Sequence, residues 1–280
     1  MPFHVLGSLQ VGVASSSRRY DLVMLVSDRR SSLLAFLRAH GSAAVETLAS
    51  ELKVSAMTVR RDIDALTEAG LVERVRGGAT IVRGQTRPGP MDAAMHRLRA
   101  EKEAIARVAA TMVEPGMAVG LSGGSTTWFL ARQLLRIPDV TVLTNSLAIA
   151  DLFEEVDDAA ETGTSVVLTG GIRTPGRALV GPVAVRSLSY LHCDISFLSV
   201  HGIHEEAGLT TPNILEAETS RAMAASGGRT VVVADHTKWD VVSLTTVLDL
   251  EDVDVLVTDR GLPDPAAEVA RAHIADVRLA

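Results

Sequence analysis

The first part of the chain carries three segments with helical periodicity. From Val26 onward, apolar residues recur three and four positions apart and predict a helix that ends at Gly41. The same spacing predicts a second helix over Val45–Leu52. A short turn then leads to Ser55, a good N-cap for a third helix over Ala56 to about Ala69.

The third predicted helix has an apolar face and a polar, cationic face. The apolar face holds Ala56, Val59, Ile63 and Leu66. Two strand-like runs follow, Leu71–Arg76 and Ala79–Val82, with Gly77-Gly78 as the predicted turn of a hairpin. Three helices and a hairpin in about 60 residues form a winged helix-turn-helix, in which the third helix enters the DNA major groove.

The candidate DNA contacts lie on that third helix and on the hairpin. Arg60 and Arg61 can reach guanine edges or phosphates, and Thr58 can reach a base or a phosphate. Arg74 and Arg76 lie on the hairpin, beside the expected DNA backbone. The alternative is a small structural domain in which Arg60, Arg61 and Asp62 form a solvated face with local ion pairs.

These residues also carry a family resemblance. The run VSAMTVRRDI at 54–63, followed by Leu66, Gly70-Leu71 and Arg74–Ala79, closely resembles the DNA-binding signature of DeoR-family bacterial transcriptional regulators. The resemblance covers residues 28–83 and implies double-stranded operator DNA as a partner. The DNA-binding candidates are Ser55, Thr58, Arg60, Arg61, Arg74 and Arg76. Arg76 stands where the family often has histidine, so its contact is not carried over unchanged.

The remainder of the chain predicts a parallel α/β sheet. Residues 84–92 are rich in Pro and Gly and are predicted to be a linker, followed by a long helix over Ala93–Val113. Short Val-rich runs then alternate with helical stretches, which is typical of a parallel sheet covered on both faces. The strand-like runs are Ala118–Leu121, Val140–Thr144, Ser165–Leu168, Ile195–Val200, Thr230–Ala234 and Val253–Thr258.

The loop after the first of these strands is a candidate phosphate cradle. It runs through Ser122, Gly123, Gly124, Ser125, Thr126 and Thr127 into a predicted helix. Glycines allow close approach of an anion, and the helix N-terminus and the hydroxyls supply donors. The alternative is an ordinary glycine-rich turn with Ser125 as N-cap. No Gly-Lys-Ser/Thr follows, so the loop is not a nucleotide P-loop.

Later loops add polar groups at the same end of the predicted sheet. They hold Asn145, Arg173, Asp235 and Lys238, each of which could also be an ordinary cap or a surface pair. In order, the loops resemble the DeoR-family sensor domain over about residues 98–260, which is similar to ribose 5-phosphate isomerase and CoA transferases. The resemblance implies a phosphorylated sugar as effector. Gly123 to Thr127 and Lys238 would hold its phosphate, with Asn145, Arg173 and Asp235 near the sugar.

Composition and charge narrow the function further. The net charge is -7, but residues 24–83 carry 9 basic and 7 acidic side chains, whereas residues 84–280 carry 16 and 26. Only the first part is therefore expected to touch a polyanion. No apolar run is long enough for a membrane span, and no secretory signal is evident, so a cytoplasmic protein without a membrane partner is expected.

Other features point to no further chemistry. The single Cys193 excludes an internal disulfide and is expected to be a small buried hydrophobe. His201 and His204 are interpreted as part of a solvated loop at the pocket rim rather than as metal ligands, and no cofactor is expected. Residues 1–23 are interpreted as a loose tail, or as preceding a true start at Met24.

The leading hypothesis is a non-enzymatic transcription factor, a repressor that acts as a homo-oligomer. The domains are expected at 24–83 for DNA binding and 93–280 for sensing. A sugar-phosphate isomerase-like enzyme with a DNA-binding head is the alternative, although only Asp235 suggests an acid-base group. An architectural DNA-binding protein with a structural C-terminal part is a third class.

Overall fold

A computed structural model describes residues 26–68, 72–81, 91–154 and 163–280. The described residues form two compact units, one of residues 26–66 with 72–81 and one of residues 67–68, 91–154 and 163–280. The predicted tail 1–23 and residues 84–90 of the predicted linker lie outside the described ranges. The domain boundaries drawn from the sequence stay predictions.

The first unit has the three helices and the hairpin predicted from the sequence. Its elements are α1 Val26–His40, β1 Ser42–Ala44, α2 Val45–Glu51, α3 Ala56–Glu68, β2 Val72–Val75 and β3 Gly78–Ile81. Leu33, Leu48 and Ile63 are fully buried between the helices. Gly41 has a φ of 82° and ends the first helix as predicted, because its left-handed conformation suits glycine.

The hairpin differs from the prediction in two respects. Its turn is Arg76-Gly77 rather than Gly77-Gly78, since Gly78 pairs with Val75 in the antiparallel register. Gly77 supplies the positive φ of 84° that the turn needs. Gly78 is required for a different reason: a Cβ there would collide with the carbonyl oxygen of Ala43 in β1. The strand β1, absent from the prediction, thus joins the hairpin in a three-stranded sheet of order β1-β3-β2.

The second unit is built on a seven-stranded parallel sheet, which confirms the predicted fold class. Its strands are β4 Ala118–Leu121, β5 Thr141–Thr144, β6 Ser165–Leu168, β9 Ile195–Leu198, β12 Thr230–Val233, β14 Val255–Thr258 and β15 Asp276–Leu279. Their order is β15-β14-β12-β9-β4-β5-β6, and every neighbouring pair is parallel. Six of these strands match the predicted runs; β15 was missed.

Helices cover both faces of this sheet, as predicted. They are α5 Arg99–Ala110, α6 Ser125–Leu134, α7 Leu147–Glu154, α8 Pro182–Leu188, α9 Ile214–Ser226 and α10 Asp264–His273. Val119, Phe197 and Val231 point to the face that packs on α5, α6 and α7. Leu143, Leu198 and Val232 point to the opposite face, toward α8, α9 and α10. The alternation follows from the two-residue period of a strand.

The prediction of one long helix over Ala93–Val113 was wrong. The chain forms α4 Met91–His96 and then α5, separated at Leu98, which has φ 48° and ψ 46°. This left-handed conformation cannot continue an α-helix and is costly for leucine. Lys102 Nζ donates to the carbonyl of Ala94 at 2.6 Å and so holds the two helices across the break.

Smaller elements surround the parallel sheet in the second unit. An antiparallel sheet has the order β10-β11-β13, formed by Gly202–His204, Gly208–Thr211 and Thr245–Leu248. A two-stranded hairpin pairs β7 Ile172–Arg173 with β8 Leu179–Val180. A 3-10 turn spans His236–Lys238. None of the helices in the described ranges is long and apolar enough to cross a membrane.

Candidate functional sites

The third helix begins with the cap that the sequence predicts. Ser55 Oγ accepts a hydrogen bond from the Thr58 amide at 3.1 Å and lies 2.9 Å from Thr58 Oγ1. Val59 and Ile63 are buried on the apolar face, whereas Arg60 and Arg61 are exposed. The hydroxyls of Ser55 and Thr58 therefore organise the start of the helix that presents the two arginines.

A buried carboxylate anchors this helix to α1. Asp62 is only 1% exposed and accepts hydrogen bonds from Arg29 Nε at 2.6 Å and Arg30 Nε at 3.1 Å. Burial by itself would raise the pKa of Asp62, but the two arginines outweigh it and lower that pKa. Asp62 is thus not a solvated partner of Arg60 or Arg61, and neither of these arginines is ion-paired within the described ranges.

The hairpin places further cations on the surface of the same unit. Arg74 forms an exposed ion pair with Asp64, with Nη1 2.7 Å from Oδ1, and Arg76 is exposed in the turn. Arg60 and Arg74 line one shallow groove together with Glu46 and Gly77. Arg60 of the third helix and Arg74 of the hairpin, two of the predicted DNA contacts, therefore lie on one surface of this unit.

The second unit has a cleft at the point where the strand order reverses. The chain runs from β4 outward to β5 and β6, and later returns to the other side of β4 with β9. The carboxyl ends of β4 and β9 lead into Gly123–Thr126 and Ser199–His201, which line a cleft of about 150 Å³. Open α/β sheets bind ligands in this position. Six predicted effector residues line it: Gly123, Gly124, Ser125, Thr126, Asn145 and Lys238.

The glycines of the predicted cradle are also needed for packing. A Cβ on Gly124 would lie 2.5 Å from Ser199 Oγ, and one on Gly123 would lie 2.8 Å from Ala178 Cβ. Gly123 N donates to Asn145 Oδ1 at 2.8 Å, and Asn145 Nδ2 donates to the Leu179 carbonyl at 2.9 Å. The Asn145 amide thus holds the loop after β4 at the mouth of the cleft.

Three of the predicted effector residues do not line the cleft. Thr127 is fully buried, and its hydroxyl donates to the Ser122 carbonyl at 2.7 Å. Arg173 is exposed on β7. Asp235 is 2% exposed and caps the 3-10 turn through a hydrogen bond from the Thr237 amide at 3.2 Å. Asp235 and Thr127 instead form hydrogen bonds within the loops that line the cleft.

The cleft contains a buried lysine that the sequence interpretation did not single out. Lys102 is 3% exposed, and it lines the cleft together with Arg97 and Lys238. Burial, reinforced by Lys238 and opposed by Asp235, lowers the pKa of Lys102 to about 8. The sequence of α5 does not distinguish Lys102 from a surface lysine. Its burial depends on the tertiary structure, in which its ammonium group contacts the Ala94 carbonyl across the break at Leu98.

A histidine and a glutamate in the cleft were also missed as candidates. His201 and Glu216 line the cleft, with Thr211 between them. Burial and the nearby Lys238 lower the pKa of His201 to about 4, and burial raises the pKa of Glu216. His201 therefore lies in the pocket wall rather than in a solvated loop at its rim.

A second histidine supports the loop that carries Lys238. His236 Nδ1 lies 2.7 Å from Asp259 Oδ2, and the His236 amide donates to Asp259 Oδ1 at 2.8 Å. Burial opposes protonation of His236, but the bond to Asp259 prevails and raises the His236 pKa. No group of three His, Cys, Asp or Glu side chains within the described ranges could hold a metal ion. Cys193 is buried as predicted.

Comparisons with known proteins bear on both units. Residues 29–85 match the family described as DeoR-like helix-turn-helix domain, and residues 98–260 match the DeoR C terminal sensor domain. The HTH-type transcriptional regulator GolR of Listeria innocua is 33% identical over 240 residues, covering 85% of this chain and 92% of its own. A putative aga operon transcriptional repressor of Escherichia coli O157:H7 is 32% identical, covering 90% of this chain and 93% of its own.

One solved structure overlaps only with part of the chain. A D-ribose-5-phosphate isomerase in complex with phospho-erythronic acid has a TM-score of 0.37 and 17% identity, covering 50% of this chain and 54% of its own. That overlap is too partial to bear on activity. Both curated relatives are named as regulators of transcription, and neither is named as an enzyme.

Proposed function

Since the chain belongs to the DeoR family of transcriptional regulators, we propose that it represses sugar-metabolism genes. We further propose that a phosphorylated sugar bound in the cleft controls its affinity for operator DNA. The relative named as a putative operon repressor supports the repressor role. The relatives' names give the isomerase-like alternative no support, and we assign the cleft to ligand binding without turnover.

The DNA-binding role is assigned to the exposed cations of the first unit. Arg60 and Arg61 extend from a helix that is capped by Ser55 and anchored by Asp62, so its orientation is fixed before DNA binds. Thr58, Arg74 and Arg76 would add contacts to bases or phosphates beside it. A helix held in place that exposes two arginines meets the requirement for bidentate contacts to guanine in the major groove.

One observation carries the assignment of a phosphorylated effector. The N-terminus of α6 and two lysines from different elements, Lys102 and Lys238, line the same cleft at the switch point of the sheet. A helix N-terminus leaves backbone N–H groups without intrahelical partners, and these groups favour an anion. Lysines add point charges suited to phosphate. We assign the phosphate to Gly123–Thr126, Lys102 and Lys238.

The same cleft offers a route by which the effector could signal. Met91, Ala94 and Arg97, in or next to α4, line it, and α4 begins within the last two residues of the predicted linker 84–92. Lys102 Nζ donates to the Ala94 carbonyl. An ammonium group has three hydrogens to donate, so Lys102 could contact a bound phosphate and the Ala94 carbonyl together, and effector binding would then be coupled to α4 through this side chain.

A homo-oligomer completes the proposal. A single winged helix of this size contacts few bases and gains affinity when two copies bind adjacent half-sites. We assign the oligomer contact to the acidic second unit, because the first unit must leave its cations free for DNA.

A thermal-shift series tests the effector assignment. The full chain is heated with inorganic phosphate, with a panel of aldose phosphates and with the matching unphosphorylated sugars. A phosphorylated sugar should raise the melting temperature, because a ligand that binds only the folded state stabilises it. The Lys238→Ala variant should lose most of that rise, whereas Arg107→Ala, which removes an exposed cation of α5 outside the cleft, should keep it. Equal shifts with phosphorylated and unphosphorylated sugars would refute the assignment.

A further inference from the structure

One wall of the cleft carries three side chains joined by hydrogen bonds. His201 immediately precedes β10, Thr211 ends β11, and Glu216 lies in the first turn of α9. Thr211 Oγ1 is 3.3 Å from His201 Nδ1 and 3.2 Å from Glu216 Oε2. All three residues line the cleft. The phosphate assignment uses none of them.

The directions of these hydrogen bonds follow from the chemistry of the three groups. A threonine hydroxyl has one hydrogen, and Thr211 Oγ1 donates it to Glu216 Oε2. The oxygen of Thr211 must then accept from His201 Nδ1, which fixes the Nδ1–H tautomer of the ring. His201 is neutral near pH 7 because its pKa is about 4. Its Nε2 atom is therefore a hydrogen-bond acceptor.

The wall consequently offers acceptors only. His201 Nε2 and the remaining lone pairs of the Glu216 carboxylate have no hydrogen to donate. The groups assigned to the phosphate are the reverse, since ammonium groups and backbone N–H groups only donate. The cleft thus combines a donor set for an anion with an acceptor set, formed by His201, Thr211 and Glu216, for groups that carry hydrogen.

We propose that this acceptor set is the specificity determinant of the cleft and that it reads hydroxyl groups on the unphosphorylated part of the effector. The proposal rests on the proposed function and narrows the effector to an aldose or alditol phosphate with free hydroxyls. A phosphorylated sugar acid is rejected, because its carboxylate would meet the Glu216 carboxylate without a hydrogen between them. Rejection by an unpaired like charge is an effective source of specificity.

The test compares probes that share a phosphate and differ in the remaining group. Isothermal titration calorimetry at pH 8, where Glu216 is more fully ionised, measures binding of glucose 6-phosphate, galactose 6-phosphate, ribose 5-phosphate, 6-phosphogluconate and inorganic phosphate to the full chain. At least one aldose phosphate should bind more tightly than inorganic phosphate. 6-Phosphogluconate should bind no more tightly than inorganic phosphate.

Variants of the acceptor set separate recognition of hydroxyls from binding of phosphate. Glu216→Gln should lower the affinity for the aldose phosphate that binds most tightly by about 10- to 100-fold, the range for loss of a hydrogen bond to a charged group. Its affinity for inorganic phosphate should change less than about twofold, and its rejection of 6-phosphogluconate should be relaxed. Glu218→Gln is the matched control, because Glu218 is exposed on the same helix and lies outside the cleft.

A threonine pair keeps the test independent of folding defects. Thr211→Val removes the hydroxyl and should weaken aldose phosphates as Glu216→Gln does, whereas Thr211→Ser keeps the hydroxyl and should bind like the unmodified chain. The inference fails if Glu216→Gln changes the affinity for aldose phosphates by less than twofold. It also fails if 6-phosphogluconate binds as tightly as the aldose phosphates, or if no aldose phosphate binds more tightly than inorganic phosphate. Absence of binding by every phosphate, inorganic phosphate included, would instead refute the proposed function.

Discussion

Arg29 of the first helix donates to Asp62 of the third helix at 2.6 Å, and the accepting carboxylate is almost completely buried. This contact joins two residues that are 33 positions apart in sequence and so links α1 to α3. It sets the orientation of the third helix. Arg60 and Arg61, which directly precede Asp62 in this helix, are the main candidates for DNA contacts.

Replacement of Asp62 by Asn should destabilise the first unit by about 1.5 to 3 kcal/mol, the range for hydrogen bonds to charged groups, because Arg29 and Arg30 lose their anionic partner. Urea unfolding followed by circular dichroism measures this change. Asp64→Asn is the control, since its pair with Arg74 is exposed and should contribute about 1 kcal/mol or less. Equal effects of the two substitutions would show that the buried pair has no special role.

The pH dependence of this contribution has a definite sign. The pKa of Asp62 is lower in the folded chain than in the unfolded chain, so its stabilising effect is fully present above the unfolded value. It should disappear as the pH falls through the folded pKa. The difference in unfolding free energy between the unmodified chain and Asp62→Asn should therefore shrink in acid.

Replacement of Arg60 or Arg61 by Ala should weaken operator binding by about 1 to 3 kcal/mol if the arginine contacts a base with two hydrogen bonds. If it contacts a phosphate instead, affinity should fall on all DNA sequences, and the slope of affinity against salt should decrease by about one unit. Fluorescence anisotropy with a labelled operator duplex at several salt concentrations distinguishes the two cases. Arg107→Ala serves as the control, and unchanged affinity in both variants would reject the recognition-helix assignment.

The titration of Lys102 predicts how effector affinity depends on pH. A phosphate prefers the protonated amine, whose pKa is about 8, so affinity for the tightest aldose phosphate should fall between pH 7 and pH 9.5. Arg97 and Lys238, which also line the cleft, should retain part of the affinity. Lys102→Met should bind more weakly at pH 7 and show a flatter profile. A profile in Lys102→Met identical to that of the unmodified chain would exclude Lys102 from the phosphate site.

The oligomer proposal is tested by multi-angle light scattering on the full chain without DNA. We expect a particle of at least twice the chain mass at micromolar concentration. A truncated form that begins at residue 91 should retain that assembly if the second unit supplies the contact. A strictly monomeric full chain would remove the oligomer from the account.

The sequence predicted those parts of the fold that depend on local periodicity. The buried face with Val59 and Ile63, the Ser55 cap and six strands of the parallel sheet follow from spacing and residue type. Strand β1 was missed because three residues are too few to show a hydrophobic pattern. The need for glycine at position 78 is explained only by the structure, in which the Ala43 backbone leaves no room for a Cβ there.

The candidate pocket was only partly predictable for a related reason. The loop Gly123–Thr126 is recognisable because glycines and hydroxyls follow a strand directly. Lys102 follows a break between two helices at Leu98, which adopts a left-handed conformation. No glycine or proline in the sequence predicts a break at this position. His201 and Glu216 are brought together by an antiparallel sheet and a helix start that are distant in sequence from the cradle, so their meeting is a property of the tertiary structure.

Control of DNA binding by the effector is tested most directly by titrating phosphorylated sugars into the full chain bound to a duplex selected for binding, with fluorescence anisotropy as the readout. At least one aldose phosphate should change operator affinity by about tenfold or more, since allosteric coupling typically amounts to 1 to 3 kcal/mol. The matching unphosphorylated sugar should have little effect. Gly124→Val should abolish the response without loss of operator binding, because its Cβ would clash with Ser199 and displace the loop that is assigned to the phosphate, whereas the DNA-binding residues belong to the other compact unit. An operator affinity that no phosphorylated sugar alters, or that the unphosphorylated sugar alters equally, would contradict the account.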